Sequence, residues 1–214
     1  MSAKKVKKTA IQLVKGMKDV LPDEQMYWQW LRDKVEQFAK NYGFSRLDTP
    51  VVEFTALFKR SVGEETDIVS KEMYSFVTEG GDKLSLRPEN TAGVVRAYIE
   101  HGMVNQPQPV KLFYIGPQYR HEKPQAGRYR QLWQFGFECL GDNEPVIDAQ
   151  LIVMSYQFLK ELGLDVVVQI NSVGDDNCRP QYLKALKNYY QTHKKDLCPD
   201  CQNRLSRNVL RVLD

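Results

Sequence analysis

The chain has 214 residues, 42% of them hydrophobic and 27% charged, with a net charge of only +3. That is enough for one large core, or for one domain and part of another. Bulk charge does not mark a nucleic-acid binder, no apolar run approaches the ~18 residues of a membrane span, and four cysteines do not make a disulfide framework. A reducing, cytoplasmic setting is expected, with no membrane partner.

In chain order, Lys4, Lys5, Lys7, Lys8 and Lys15 meet no acid before Asp19. Residues 1–15 read as a basic, flexible tail, with a weak contact to a nucleic-acid backbone as the sharper alternative. Gly16 to Pro22 is a turn-rich lead-in, and Pro22 with Asp23 suits a helix start. Tyr27, Leu31, Val35, Phe38 and Tyr42 then form one apolar stripe of a helix ended by Asn41 and Gly43. Phe44 to Val52 follows as an edge strand interrupted by Pro50. The stripe could pack internally or across a two-fold axis; taken alone, it favours internal packing.

Glu53 to Ser61 reads as helix and Val62 to Ser70 as an acidic surface loop. Met73–Thr78 and Lys83–Arg87 are short strands joined by Glu79-Gly80-Gly81-Asp82, a hairpin signal. The second strand delivers Arg87-Pro88-Glu89-Asn90-Thr91 into a helix whose apolar side is Val94, Val95, Tyr98 and Ile99. A strand-to-helix junction is rigidly held yet open to solvent, which suits substrate contact. The plainer reading of Glu89 is a carboxylate that complements the helix N-terminus.

From Phe113 to Cys139 the chain reads strand, charged loop, strand. The first strand, Val110 to Gly116, is expected to break at Gly116-Pro117. The return strand, Gln131 to Cys139, alternates with period two. Gln131, Trp133, Phe135, Phe137 and Cys139 share one face, suited to burial against helices; Leu132, Gln134, Gly136 and Glu138 share the other. Gln134 and Glu138 stand about 13 Å apart at about 3.3 Å per residue. That is a polar floor for an elongated ligand, overhung by Arg120, Arg128 and Arg130. Arginine suits phosphate because its planar fork meets two oxygens, and no GxxxxGK[ST] loop or dinucleotide fingerprint competes for that role.

Ile147 to Leu162 reads as a helix, Val166 to Ile170 as a buried strand, and Pro180 to Thr192 as another helix, with no clear domain boundary. His101, His121 and His193 are scattered and make no hydrolytic triad. Cys198-x-x-Cys201 is half a zinc site that Cys178 and His193 could complete, but the spacing fits no familiar finger, so a plain thiol pair is expected. The fold class is α+β: a mainly antiparallel sheet flanked by helices.

The run GPQYRHEKPQAGRYRQLWQFGFE resembles the second motif of class II aminoacyl-tRNA synthetases, in the histidine-specific form. GMKDVLP, LRPENTAGVVRAYIEHG and RLSRNVLRVLD agree with it, in order, over nearly the whole chain. The resemblance implies that residues 16–214 are the N-terminal part of a class II catalytic domain, incomplete at its C-terminus, with motif one at about 23–52 and motif two at about 110–139. It implies ATP, accompanied by Mg²⁺, and histidine as substrates, tRNA(His) as acceptor, and a homodimer through motif one, against the preference for internal packing. Arg120 would contact the α-phosphate and the histidine carboxylate, Glu122 the adenine end, and Arg128 the outer phosphates. Leu132 would cover the base where an aromatic is usual. Glu89 and Thr91, with Gln134, would hold the α-amino end, and Glu138 the imidazole. Asn90, counted with the histidine-binding group, replaces a glycine common in the family, and Val209 a proline. No dedicated protein metal site is implied, and the chain alone is expected to adenylate little or not at all. A non-catalytic regulatory paralogue in histidine biosynthesis, or another class II synthetase, is the alternative.

Overall fold

In the computed structural model, residues 11–213 are described except 64, 65, 67 and 173. The lysines at 4, 5, 7 and 8 therefore lie outside the described residues. The chain forms two compact units, Met1–Leu162 and Gly163–Asp214.

Helix α1, Gln25–Asn41, ends in a left-handed Gly43 at φ +77°. The Phe44 amide donates to Ala39 O at 2.9 Å and the Gly43 amide to Lys40 O at 3.1 Å, a Schellman closure that turns Phe44 back into the core. Val35 and Phe38 are the buried part of the expected stripe, and Ala39 is buried beside them. Tyr27, by contrast, is 68% exposed beside exposed Met26 and Trp30, so the stripe is internal only in its second half.

The expected strand after α1 is cut short. β1 is only Ser45–Arg46, parallel to β5 (Val110–Tyr119) at the sheet edge. Past it the chain leaves the sheet: Thr49 is buried, its carbonyl and hydroxyl both accept from Arg87, and Pro50 offers no N–H. β2, Val52–Phe54, joins a second sheet of order β2-β4-β3, with β3 at Ser75–Val77 and β4 at Lys83–Leu86. The β3–β4 hairpin forms as expected, with Gly81 at φ +91° in its turn. Between the sheets' contributions, α2 (Thr55–Phe58) continues as a π-helical turn over Lys59–Gly63. Ile68–Glu72 is also π-helical and overlaps the end of the acidic surface loop expected over Val62 to Ser70.

β5 pairs antiparallel with β6 (Gln131–Leu140) over ten residues, so the strand does not break at Gly116-Pro117. The reason lies in the edge. The Tyr119 amide, two residues on and hence on the same side as Pro117, points away from β6 to Arg87 O at 2.9 Å. Pro117 thus removes a donor the β5–β6 ladder does not use. Phe135 and Phe137 pack with Phe38, Phe44, Phe113 and Phe158 on the helix side of this sheet. Helix α4, Pro145–Glu161, supplies Met154 and Phe158 as expected.

In the second unit, residues 166–170 form no strand: Val167 and Ile170 are 86% and 78% exposed, and no described strand pairs with them. Apolar composition marks a segment that can be buried but does not supply the partner. Helices α5 (Arg179–Thr192) and α6 (Pro199–Arg207) and a 3₁₀ turn at Val209–Val212 close on Leu205 and Val209.

Candidate active site

The polar floor lies on the face of β5–β6 away from α1 and α4. Register places Leu112 opposite Glu138, Tyr114 opposite Gly136, Gly116 opposite Gln134, and Gln118 opposite Leu132. Opposed residues share a face, so these eight positions form one surface. Both glycines leave room for larger neighbours: a Cβ on Gly136 would overlap the Tyr114 hydroxyl, and one on Gly116 the Arg87 guanidinium.

One end of the floor is built by the turn into helix α3 (Thr91–Glu100). Glu89 accepts from the Thr91 amide at 2.8 Å and the Ala92 amide at 2.9 Å, so it does complement the helix start. The Thr91 hydroxyl donates to Glu138 Oε1 at 2.7 Å, joining the turn to β6. Burial raises the Glu138 carboxyl above the usual range; the Thr91 bond opposes that and the Glu89 charge adds to it. Burial, and then the Glu138 charge, push the Tyr114 phenol up to about 12. Asn90 is not brought to the surface of this end: its side chain is 2% exposed and accepts from Thr49 Oγ1 at 2.8 Å.

Arg120 starts the loop at the other end. Its Nε donates to Pro88 O at 2.9 Å and its Nη1 stands 3.9 Å from Glu122 Oε1. Arg128 reaches Glu122 Oε2 at 3.4 Å from a side chain that is 66% exposed. Arg130 faces elsewhere, to the lead-in: its amide donates to Gly16 O at 2.7 Å and its Nη1 to Lys15 O at 3.1 Å. Two stretches singled out separately in the sequence, GMKDVLP and the charged loop, are thus one structural unit. Leu132 and Gln134 lie between the two ends, and the Gln134 carbonyl is buried without a hydrogen-bond partner among the described residues. A cleft of about 1180 Å³ flanks α3 and touches the site only at Glu89 and Thr91.

The sequence reading missed Arg87, Tyr114 and Gln118. Arg87 is buried, donating to Pro117 O at 3.0 Å and Thr49 O at 2.7 Å. Gln118 is fully buried. A glycine facing an aromatic across a hairpin, as Gly136 faces Tyr114, was the available signal.

A long antiparallel hairpin whose face away from α1 and α4 carries arginine at one end and carboxylates at the other defines a class II aminoacyl-tRNA synthetase catalytic core. A family model described as histidyl-tRNA synthetase matches residues 16–174. A histidine–tRNA ligase of Dehalococcoides mccartyi is 53% identical over 94% of this chain and 48% of its own length. One from Halothermothrix orenii is 48% identical over the same shares. The apo histidyl-tRNA synthetase of S. aureus superposes with a TM-score of 0.74 at 35% identity, covering 94% of this chain and 48% of that one. The chain belongs to the histidyl-tRNA synthetase family, and it spans about half the length of the curated relatives it matches. An ATP phosphoribosyltransferase regulatory subunit/histidyl-tRNA synthetase from Bacillus halodurans C shares the fold, with a TM-score of 0.66 at 22% identity. No described helix is long and apolar enough to cross a membrane.

Proposed function

We propose that this chain carries the histidine- and ATP-binding wall of a histidine–tRNA ligase, which joins histidine to ATP as histidyl-adenylate and then transfers it to tRNA(His). The observation that carries the reading is the Thr91–Glu138 hydrogen bond, which fixes a carboxylate at the far end of the floor from Arg120. Glu138 keeps Oε2 for an imidazole N–H, while Glu89, Thr91 and the Gln134 amide hold the α-amino end. A carboxylate has about four acceptor positions, so Glu89 can serve its helix and a ligand together.

In the first step the histidine carboxylate oxygen attacks the α-phosphorus in line, the bond to the bridging oxygen breaks, and pyrophosphate leaves. Such catalysis is orientation and charge neutralisation rather than covalent chemistry. Arg120, held by Pro88 O, would supply the cation that both the α-phosphate and the incoming carboxylate need. Glu122 takes the adenine end, Leu132 the base face, and Arg128 the outer phosphates by exchanging its contact with Glu122. A neutral amide at 134 aligns two anions without adding a third. Mg²⁺ bound to ATP would supply further charge neutralisation at the phosphates beside Arg120 and Arg128. A homodimer through α1, whose outer face exposes Met26, Tyr27 and Trp30, and a cytoplasmic location complete the proposal.

Histidine-dependent ATP–pyrophosphate exchange, measured on a protein of the relatives' full length bearing this chain, tests the activity. Loss of exchange in Glu138→Ala and Arg120→Ala supports the assignment; exchange with proline or threonine instead of histidine overturns it. The same assay on the 214-residue chain alone is expected to show little or no exchange. A regulatory paralogue would have no need for Arg120, Glu122, Arg128, Gln134 and Glu138 together.

A further inference from the structure

The cysteine pair in the second unit takes no part in the proposed chemistry. Cys198 is the N-cap of α6, exposed, and followed by Pro199 at the first helical position. Its sulfur accepts the Cys201 amide at 3.5 Å, and Cys201 itself is half-buried. The two sulfurs are therefore neighbours across one helical turn, one open to solvent and one behind it.

The groups that could have completed a metal site are engaged elsewhere. Cys178 Sγ accepts the Asp175 amide at 3.3 Å in a separate turn. The His193 ring stacks on Tyr189 at 4.4 Å and shares Nδ1 with Tyr189 O and Thr192 Oγ1, each at 2.9 Å. Among the described residues no three metal-ligating side chains come together.

We propose that Cys198 and Cys201 form a thiol–disulfide exchange site, with Cys198 as the attacking thiol and Cys201 as the resolving thiol. The reaction partner is a small disulfide. The Cys198 thiolate attacks one of its sulfurs, that S–S bond breaks, and one thiol leaves carrying a proton from solvent. Cys201 gives up its proton and attacks the Cys198 sulfur of the mixed disulfide, releasing the second thiol. Two electrons pass from the cysteine pair to the reagent, which ends as two thiols, and Cys198–Cys201 ends as a disulfide. Electrostatics sort the two roles in the same sense. The helix-start amide and the partner thiol lower the Cys198 pKa, while the hydrogen bond to Cys198 raises that of Cys201.

The test uses the full chain and oxidised glutathione as probe, with thiol counting and mass spectrometry of the peptide spanning both residues. Two of the four thiols should be lost, leaving the 198–201 peptide lighter by two hydrogens and free of glutathione. Cys201→Ser should trap glutathione on Cys198, whereas Cys198→Ser should leave Cys201 unmodified on the same timescale. At neutral pH iodoacetamide should alkylate Cys198 about tenfold faster than Cys178, which is also exposed. The proposal fails if Cys198 reacts no faster than Cys178. It also fails if wild-type protein retains glutathione on Cys198, if oxidation links Cys178 to either cysteine, or if stoichiometric zinc binds the pair and blocks oxidation. Circular dichroism of both serine variants separates loss of reactivity from loss of fold.

Discussion

The Thr91 hydroxyl donates to Glu138 Oε1 at 2.7 Å, so the first residue of a helix fixes the orientation of a carboxylate on a strand 47 positions later. The bond joins the RPEN turn to the hairpin floor and leaves one carboxylate oxygen open. Thr91→Val keeps the shape and deletes the donor. A hydrogen bond to a charged group is worth about 1.5–3 kcal/mol, so histidine should bind roughly tenfold more weakly or worse. Thr91→Ser should restore most of the affinity. Calorimetric titration with histidine measures both; unchanged affinity in Thr91→Val would remove Thr91 from the site.

The pH behaviour of Glu138 has a definite sign. Its carboxyl is raised in the folded state, chiefly by burial. The folded protein therefore holds that proton to higher pH than the unfolded chain does, and the associated stability is present in acid and lost as pH rises through the raised value. Glu138→Gln should accordingly gain melting temperature at pH 7, with the gain shrinking toward pH 4. Histidine binding should move the other way, weakening in acid from a pH above the ordinary glutamate range, because an imidazole N–H needs the ionised acceptor. A melting-temperature difference independent of pH would contradict the burial argument.

Gly136 should not tolerate a side chain. A Cβ there overlaps the hydroxyl and ring of buried Tyr114, and overpacking of this kind costs about 1–3 kcal/mol. Urea denaturation of Gly136→Ala should show that loss, and the double variant Gly136→Ala/Tyr114→Ala should show clear coupling rather than the sum of the single effects.

Arg130 is expected to hold the lead-in rather than a ligand. Arg130→Ala removes the side-chain bond to Lys15 O and the packing against Gly16. Trypsin should then cut after Lys15 and Lys18 faster than in the parent, with the hairpin itself still protected. Arg130→Lys should rescue little, because an ammonium lacks the planar fork. Equal cleavage rates in parent and variant would show that the lead-in is held by other contacts.

Much of this was legible in the sequence because it depends on periodicity. The alternation of residues 131–139 assigned Phe135 and Phe137 to the core and Gln134 and Glu138 to the floor, and the structure places them so. What failed depends on neighbours that periodicity does not name. Pro117 reads as a breaker until the side of the strand it faces is known. Residues 166–170 read as buried until a partner strand is sought. Asn90 lies beside two site residues in sequence, yet one position along a turn is enough to aim its amide at Thr49 instead. Tyr114 became visible only when the register set it opposite Gly136, and Arg87 only when the fold laid its guanidinium against Gly116.

Arg87 has a further effect on the floor. An arginine keeps its proton even when burial lowers its pKa, as it does here, and this guanidinium lies under cover at Gly116, the position opposite Gln134. Mobile ions screen exposed charges strongly and buried ones far less. The middle of the floor should therefore stay electropositive at ionic strengths that silence the exposed Arg128, keeping a standing attraction for anions where two of them must meet.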